Sequence, residues 1–549
     1  MHSLSLMGSE QFDVLVIGGG VTGAGVALDA VARGYKVALV EKADFASGTS
    51  SKSTKLVHGG IRYLPNFDFA LVREALVERG LLLQNAPFLV KPVGFVLPIY
   101  KGDRHPVGMP FTTPWGIGLG FVLNIGLWLY DGLAGRRNYK RHRHLSRKEV
   151  MKLAPGLVTE NLKEGLIYYD GQTNDTRLTM AILRTASQYG ATIANYAGVT
   201  SFVSEKGKVT GAYVRDYLGD QEIVVRARHI VNATGIFSEQ VEALTDAGSQ
   251  VQVEPSKGVH LVFSREDVKL GNDAVVLPET DDKRILFLVP WESRAVFGTT
   301  DTGSGDLDHP IASQDDIAYL LHHLNRYLSV NLTADDIISV YAGYRPLLRS
   351  RSSEHATAKL SRTHAVLQNP SGLVTIVGGK LTTYRRMAQD TVDVLSRRDG
   401  SSSPPHPTQN LPLFGSAGWP AVQRDLETKG AELGLSSQTI AHLGESYGSL
   451  AGELLSLIEE DKSLGKRLIE DLPYIYAEVV YACRHEMAMT LDDVLARRTR
   501  ILLEDRDRGA GIVDEVAALM ARELGWSPEQ QKAMSDAYRA ELQQQMPVL

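Results

Sequence analysis

The segment from Phe12 to Glu41 leaves little freedom to any fold that contains it. Phe12–Ile17 (FDVLVI) is a short apolar run of the kind buried as a central parallel strand, and it leads directly into Gly18-Gly19-Gly20-Val21-Thr22-Gly23. From Val21 to Arg33 the residues Val26, Ala27, Ala30 and Val31 recur at helical spacing, and Tyr35–Val40 (YKVALV) reads as a second strand. Strand, glycine turn, helix and strand in close succession predict the opening of a doubly wound sheet. Each glycine of the motif has a physical task. Gly18 permits the tight turn, Gly20 lets the backbone approach a pyrophosphate, and Gly23 lets helix and strand pack closely. The helix N-terminus offers unpaired N–H groups and the positive end of its dipole to phosphates. Glu41, eighteen residues after Gly23, ends the second strand, where its carboxylate can accept from a ribose diol and repel a 2′-phosphate.

The rest of the chain bounds what can surround this unit. At 549 residues it is too long for one core, so two or three domains are expected. A net charge of −6 gives no reason to expect nucleic acid as a partner. Cys483 is the only cysteine, which excludes an intramolecular disulfide and a cysteine-rich metal site and suits a reducing, cytoplasmic setting. No metal ligands are assigned. The first eleven residues lack the basic and apolar regions of a secretory signal. Pro106–Tyr130 carries no charge and has the length of a membrane span, but prolines and glycines interrupt it. It reads instead as a buried or interfacial helix, followed by the basic stretch Arg136, Arg137, Lys140, Arg141, Arg143, Arg147 and Lys148.

Strand signals return at Ile230–Asn232 and Leu373–Val377, so the cofactor domain is expected to be interrupted by insertions. Val259–Phe263, Ile285–Pro290 and Ala295–Gly298 are short, β-rich and divided by polar turns, as in an antiparallel sheet over a substrate pocket. Asp399–Gln409 (DGSSSPPHPTQ) reads as a linker, and helical patterns follow it at Tyr474–Cys483 and Asp514–Leu524. The expected architecture is α/β plus α: a doubly wound, Rossmann-like cofactor domain, an inserted antiparallel-sheet substrate domain and a C-terminal helical domain. Residues 1–398 would form the oxidoreductase region, with cofactor segments at about 10–90, 165–240 and 340–398 and substrate segments at about 91–164 and 241–339. Residues 410–549 would form the helical domain.

The glycine motif alone does not separate NAD from FAD. Ser47–Gly60 (SGTSSKSTKLVHGG), dense in hydroxyls and glycines with Lys52, Lys55 and His58 interleaved, favours FAD. An NAD enzyme has little need of such a tract directly after the acid, whereas a flavin enzyme must line the second half of its pyrophosphate and its ring system. A flexible surface loop is the plainer alternative.

Asp44–Leu64 (DFASGTSSKSTKLVHGGIRYL) resembles the signature of the FAD-dependent, respiratory glycerol-3-phosphate dehydrogenases. Further matches follow in family order: Val231–Gly235 (VNATG), Lys257–His260 (KGVH), Gly298–Thr302 (GTTDT), Tyr341–Leu347 (YAGYRPL), Ser361-Arg362, Gly378–Arg385 (GGKLTTYR) and His485–Thr499 (HEMAMTLDDVLARRT). One departure is Asp170–Leu178 (DGQTNDTRL), where many bacterial members carry Cys and Trp after the first acid; Arg177 and the acids persist.

The resemblance implies oxidation of sn-glycerol 3-phosphate to dihydroxyacetone phosphate, with hydride transfer from C2 to FAD. It places Arg62, Tyr63, His260, Arg345, Arg362 and Lys380 around the substrate. Arginine forks suit a phosphate dianion. Removal of the C2 hydroxyl proton calls for a base, for which His260 is the candidate and His58 the competitor, while Arg345 would stabilise a developing alkoxide. FAD contacts are expected at Gly18, Gly20, Gly23, Glu41, Thr49, Ser50, Ser51, Thr54, Lys55 and His58. Others are expected at Ala233, Thr234 and Gly235 and at Gly379, Lys380, Leu381 and Thr382. Electrons would pass to a quinone, which is favoured because no long insertion of the oxidase type is visible, or to oxygen. A quinone acceptor would bring the basic stretch to the inner face of the cell membrane as a peripheral contact. A homodimer stays open. The rival readings are an FAD-dependent amino-acid or amine oxidase and a non-catalytic flavoprotein scaffold.

Overall fold

The computed structural model describes residues 4–103, 118–277, 280–282, 284–303, 305–349, 363–402 and 405–544, with Arg62, Pro65 and Asn66 described by their backbone alone. Two sheets organise it. In the first, the strand Gln11–Ile17 lies between Val37–Val40 and Glu222–Asn232, parallel to both, and Val374–Val377 continues the parallel set. Val14, Leu15 and Val16 are completely buried, as a central strand covered on both faces requires. Helices Val21–Ala32, Asp175–Gln188 and Tyr384–Arg398 share one apolar core with this sheet, through Val26, Leu178, Ile182, Val392 and Leu395. Ile17 is in register with both Asn232 and Val40, so the glycine turn, Glu41 and the Ala233–Gly235 turn gather at the C-terminal ends of the parallel strands.

The second sheet has nine strands and is antiparallel except where Ala274–Leu277 runs parallel to Lys91–Tyr100. Near one edge Val253–Ser264 pairs with Arg294–Gly298 on one side and the terminal strand Ile337–Leu348 on the other, which sets His260 opposite both Gly298 and Tyr341. Leu56–Val57 and most of Leu162–Gln172 and of Ile337–Leu348 lie in stretches that sequence pattern alone gives to the cofactor region. A strand's own residues do not reveal which sheet it will join, because both sheets demand the same apolar alternation.

Helices from Ala421 to Gln544 enclose a separate core built on Ile440, Leu443, Leu454, Val480, Val516 and Met520. Described residues on both sides of 403–404 in the Ser/Pro-rich stretch are tied to the cofactor domain. The Thr408 hydroxyl donates to Asp29 at 2.6 Å, Asn85 donates to the carbonyls of Thr408 and Gln409, and Asp399 accepts from Tyr35 and pairs with His229. Helix Leu119–Ala134 takes in the C-terminal part of the uncharged stretch. It buries Leu127 and Tyr130 while leaving Phe121 63% and Trp128 55% exposed, so it lies on the protein with one apolar face open. Among the described residues no helix is long and apolar enough to cross a membrane.

Candidate active site

Between the two sheets runs a cleft of about 930 Å³, within the range of ligand and cofactor sites. One end is made by the glycine turn. Gly18 has φ +110°, and a Cβ there would stand 2.7 Å from the Ala233 carbonyl oxygen. A Cβ on Gly23 would stand 1.9 Å from the Gly18 oxygen, so only glycine admits this helix–strand contact. Ser50 accepts from the Val21 N–H at 2.9 Å and so supports the first turn of the helix. Glu41 accepts from the Gly19 N–H at 2.6 Å and the Ala43 N–H at 3.0 Å, which fixes its carboxylate at the cleft wall. Burial pushes the Glu41 carboxyl above its usual range, against the pull of those two bonds.

The other end is lined by the second sheet and by the turn after Val374–Val377. Gly378 and Gly379 have φ of +81° and +78°, and this reversal brings Lys380, Leu381 and Thr382 to the cleft. The Lys380 ammonium sits 4.1 Å from the centre of the Tyr63 ring. Thr382 accepts from the His58 N–H at 3.1 Å, tying this turn to the hydroxyl-rich tract. Arg345 donates to Thr299 Oγ1 at 3.1 Å, to the Thr300 carbonyl at 3.2 Å and to Ser256 Oγ at 3.3 Å. Its guanidinium is therefore fixed before any ligand arrives. His260 is buried, shares a 2.8 Å hydrogen bond through Nε2 with Thr54 Oγ1, and stacks on Tyr341 with centroids 4.7 Å apart. Burial first, then the charges of Arg345 and Lys55, hold its imidazolium well below the usual histidine range, so the ring is neutral at pH 7.

Most of the sequence-derived site residues come together here. Gly18, Gly20, Glu41, Thr49, Ser50, Thr54, His58, Tyr63, Ala233, Thr234, Gly235, His260, Arg345, Gly379, Lys380, Leu381 and Thr382 all line the cleft. Gly23 serves the helix contact behind it. Ser51 and Lys55 do not line it: the Ser51 hydroxyl turns to the Gly48 carbonyl, and the buried Lys55 ammonium is 3.1 Å from Asp175. Arg362 and the Arg62 side chain lie outside the described residues. Sequence reasoning missed Thr299, Thr300 and Tyr344, although all three stand inside motifs quoted for other residues. It also missed Ile285 and Phe287, whose strand pattern was visible but whose facing was not.

The donor set fits FAD. A glycine turn that excludes any Cβ, an acid held at the end of the second strand, and a backbone turn carrying Lys380 at the far end match a dinucleotide that ends in a flavin. The His260 Nδ1 atom is also buried without a hydrogen-bond partner among the described residues, a cost a native site retains when a ligand or its chemistry needs the group.

Much of the remaining motif chemistry lies elsewhere. Asp44 accepts from both nitrogens of the Arg498 fork at 2.7 and 2.8 Å and from Arg497. Arg177 grips Glu486 with two bonds of 2.7 and 2.8 Å. These pairs form a buried seam between the cofactor domain and the C-terminal helices.

A family model described as FAD dependent oxidoreductase matches residues 13–385, and one described as the C-terminal domain of alpha-glycerophosphate oxidase matches residues 406–531. Glycerol-3-phosphate dehydrogenase 2 of Mycobacterium tuberculosis is 42% identical over 523 residues, covering 95% of this chain and 86% of that protein. The mitochondrial glycerol-3-phosphate dehydrogenase of Homo sapiens is 38% identical over 567 residues, covering 99% and 75%. The crystal structure of the glycerol-3-phosphate dehydrogenase from Bacillus halodurans complexed with FAD superposes with a TM-score of 0.80 at 32% identity, covering 99% of this chain and 97% of that one.

Proposed function

This chain belongs to the family of FAD-dependent glycerol-3-phosphate dehydrogenases, and from that premise we propose that it oxidises sn-glycerol 3-phosphate to dihydroxyacetone phosphate in the cleft between its sheets. FAD, the cofactor of this family, supplies the acceptor for the hydride that leaves C2. The observation that carries the reading is a single cleft lined at once by Lys380, Arg345, neutral His260 and the glycine turn.

Each group has a task. The cations attract and orient the phosphate dianion. Arg345, already held by three neighbours, offers a preorganised positive charge to the oxygen on C2 as its proton departs, with little reorganisation. His260 takes that proton. Its hydrogen bond to Thr54 and its stack on Tyr341 hold the ring in one orientation, and burial with nearby positive charge keeps it unprotonated beforehand. The apolar wall of Ile285 and Phe287 limits water around the reacting carbon.

We assign the electrons to a membrane quinone. Helix Leu119–Ala134 exposes Phe121, Ile125, Trp128 and Leu129, which recur at helical spacing, and the exposed cations Arg136, Arg137, Lys140 and Arg141 follow. An open apolar face beside basic residues suits peripheral binding to an anionic leaflet. Mixing the holoprotein anaerobically with sn-glycerol 3-phosphate should bleach the visible flavin band, whereas glycerol and sarcosine should not. A band that persists would end the assignment. Reoxidation by a soluble quinone faster than by oxygen would support the acceptor, and peroxide formation at the full turnover rate would replace quinone with oxygen.

A further inference from the structure

The hydroxyl-rich tract that walls the cleft is fastened from behind. Arg500, from the C-terminal helices, donates to the Ser51 carbonyl at 2.9 Å and to Thr176 Oγ1 at 2.5 Å. It also lies 3.6 Å from the Asp175 carboxylate. Asp175 in turn accepts from the Ser53 N–H at 3.1 Å and the Ser53 hydroxyl at 2.8 Å, and pairs with the Lys55 ammonium. Arg500, Asp175 and Lys55 are each 1% exposed or less. The Lys55 backbone has φ +61°, a left-handed conformation that a lysine keeps only where its surroundings impose it. On the cleft side of the same few residues, Thr54 holds His260 Nε2, and the Ser53 carbonyl accepts from the Tyr341 hydroxyl at 2.9 Å. Tyr341 is the ring on which His260 stacks.

A continuous path of one ion pair, hydrogen bonds and one ring stack therefore runs from the C-terminal helices to the candidate base. We propose that Arg500 is a positioning residue for the reaction. Through Asp175 and Lys55 it sets the conformation of residues 51–55, and with it the orientation of the Thr54 hydroxyl and the His260 ring. The C-terminal helices thus contribute to the site without reaching it. Lysine could not serve equally, because only a planar fork meets a carbonyl, a hydroxyl and a carboxylate at fixed angles. Arg500 also acts electrostatically: one buried carboxylate faces two cations, and burial together with Arg500 brings the Lys55 ammonium down to about 7.

This inference rests on His260 as the proton acceptor, and the test separates the two. Arg500→Lys, Arg500→Met and Thr176→Val are compared with the unaltered protein. The measurements are amide hydrogen exchange at residues 51–55 in the apoprotein, bound FAD, and the anaerobic rate and pH profile of flavin reduction. Positioning predicts faster exchange centred on 51–55 in all three variants. It also predicts a reduction rate per bound flavin lowered on the order of 10- to 100-fold in Arg500→Met, an intermediate loss in Arg500→Lys and a displaced pH profile. Thr176→Val removes only one anchor, so it reports even if the Arg500 variants fold poorly. Unchanged exchange at 51–55 would overturn the proposal. So would a lower melting temperature with an unchanged reduction rate and pH profile, which would make Arg500 a brace and nothing more. If the unaltered protein is not reduced by sn-glycerol 3-phosphate, the functional reading fails, while the exchange data still decide whether Arg500 sets the loop.

Discussion

The cleft and the seam behind it are built from opposite materials. The cleft is lined by glycines, threonine and serine hydroxyls and backbone groups, with a few cations held at defined places. The seam joins the cofactor domain to the C-terminal helices through buried polar groups: Asp44 with Arg497 and Arg498, Arg177 with Glu486, and Asp493 with Arg497 and the Tyr196 hydroxyl. Burial alone would raise the Asp44 carboxyl, but Arg498 and Arg497 bring it down to about 2, so it is charged throughout the physiological range. The difference follows from what each region must do. A ligand site must keep hydrogen-bonding capacity in hand, whereas a seam must satisfy every buried charge internally or lose several kcal/mol per ion. Family signatures therefore mix two messages. Asp44 stands in the same motif as Ser50 and Thr54, and Arg177 and Arg497 stand in other family segments, yet all three hold domains together.

The contrast breaks most visibly at Gly23. Gly23→Val would drive a side chain into the Gly18 carbonyl, at a cost of about 3 kcal/mol or more. The purified protein should lose its yellow colour, and a normal flavin-to-protein absorbance ratio would refute the close approach. Next comes Arg345→Ala, which should lower turnover on the order of 100- to 1000-fold while bound FAD and the melting temperature stay unchanged. Loss of FAD in that variant would move Arg345 from chemistry to cofactor binding.

Substitution in the seam should do the reverse. Arg177→Ala leaves Glu486 buried without its forked partner and should cost about 3–5 kcal/mol of stability, read by denaturant titration. Turnover per folded, flavin-loaded molecule should change by no more than about twofold, since the Arg177 side chain does not line the cleft. A large fall in turnover would show that this part of the seam also governs the site.

The most gradual expected effect is the pH dependence of stability at His442, where the C-terminal helices meet Glu292. Burial works against the charge on His442, but Glu478 at 2.9 Å and Glu292 at 3.5 Å outweigh it and raise its pKa to about 10. A folded pKa above the unfolded value of 6.5 means that the contribution to stability is complete below that value and disappears as pH rises through about 10. Glu504, raised by burial to about 8, acts in the same direction over a lower window. The melting temperature should fall between pH 7 and 10, and His442→Gln should flatten that fall. An unchanged slope in the variant would remove His442 as its source.

The local features of the cofactor half were legible because they depend on neighbours in sequence. Alternating apolar residues, a glycine turn and a terminal acid specify strand, turn, helix and strand with hardly any reference to the rest of the chain, and the observed strand Gln11–Ile17 and helix Val21–Ala32 follow that pattern closely. The motif order also carried His260, Arg345 and Lys380 to a common site through family resemblance. Lys55 shows where that reasoning stops. Its position inside a hydroxyl-rich tract says nothing about which side of the loop its ammonium leaves, and Asp175, distant in sequence, draws it away from the cleft.

What the sequence determined by itself was the dinucleotide-binding unit, the family and the residue types the chemistry requires. Tertiary structure alone decided which charges meet a ligand and which meet each other. It also decided which sheet took Leu56–Val57 and Ile337–Leu348, and that Arg500 reaches the back of the loop holding Thr54 and His260. The physical reason is range. Propensity and periodicity act over a few residues, whereas burial and charge pairing are settled only when segments hundreds of residues apart in sequence share one low-dielectric space.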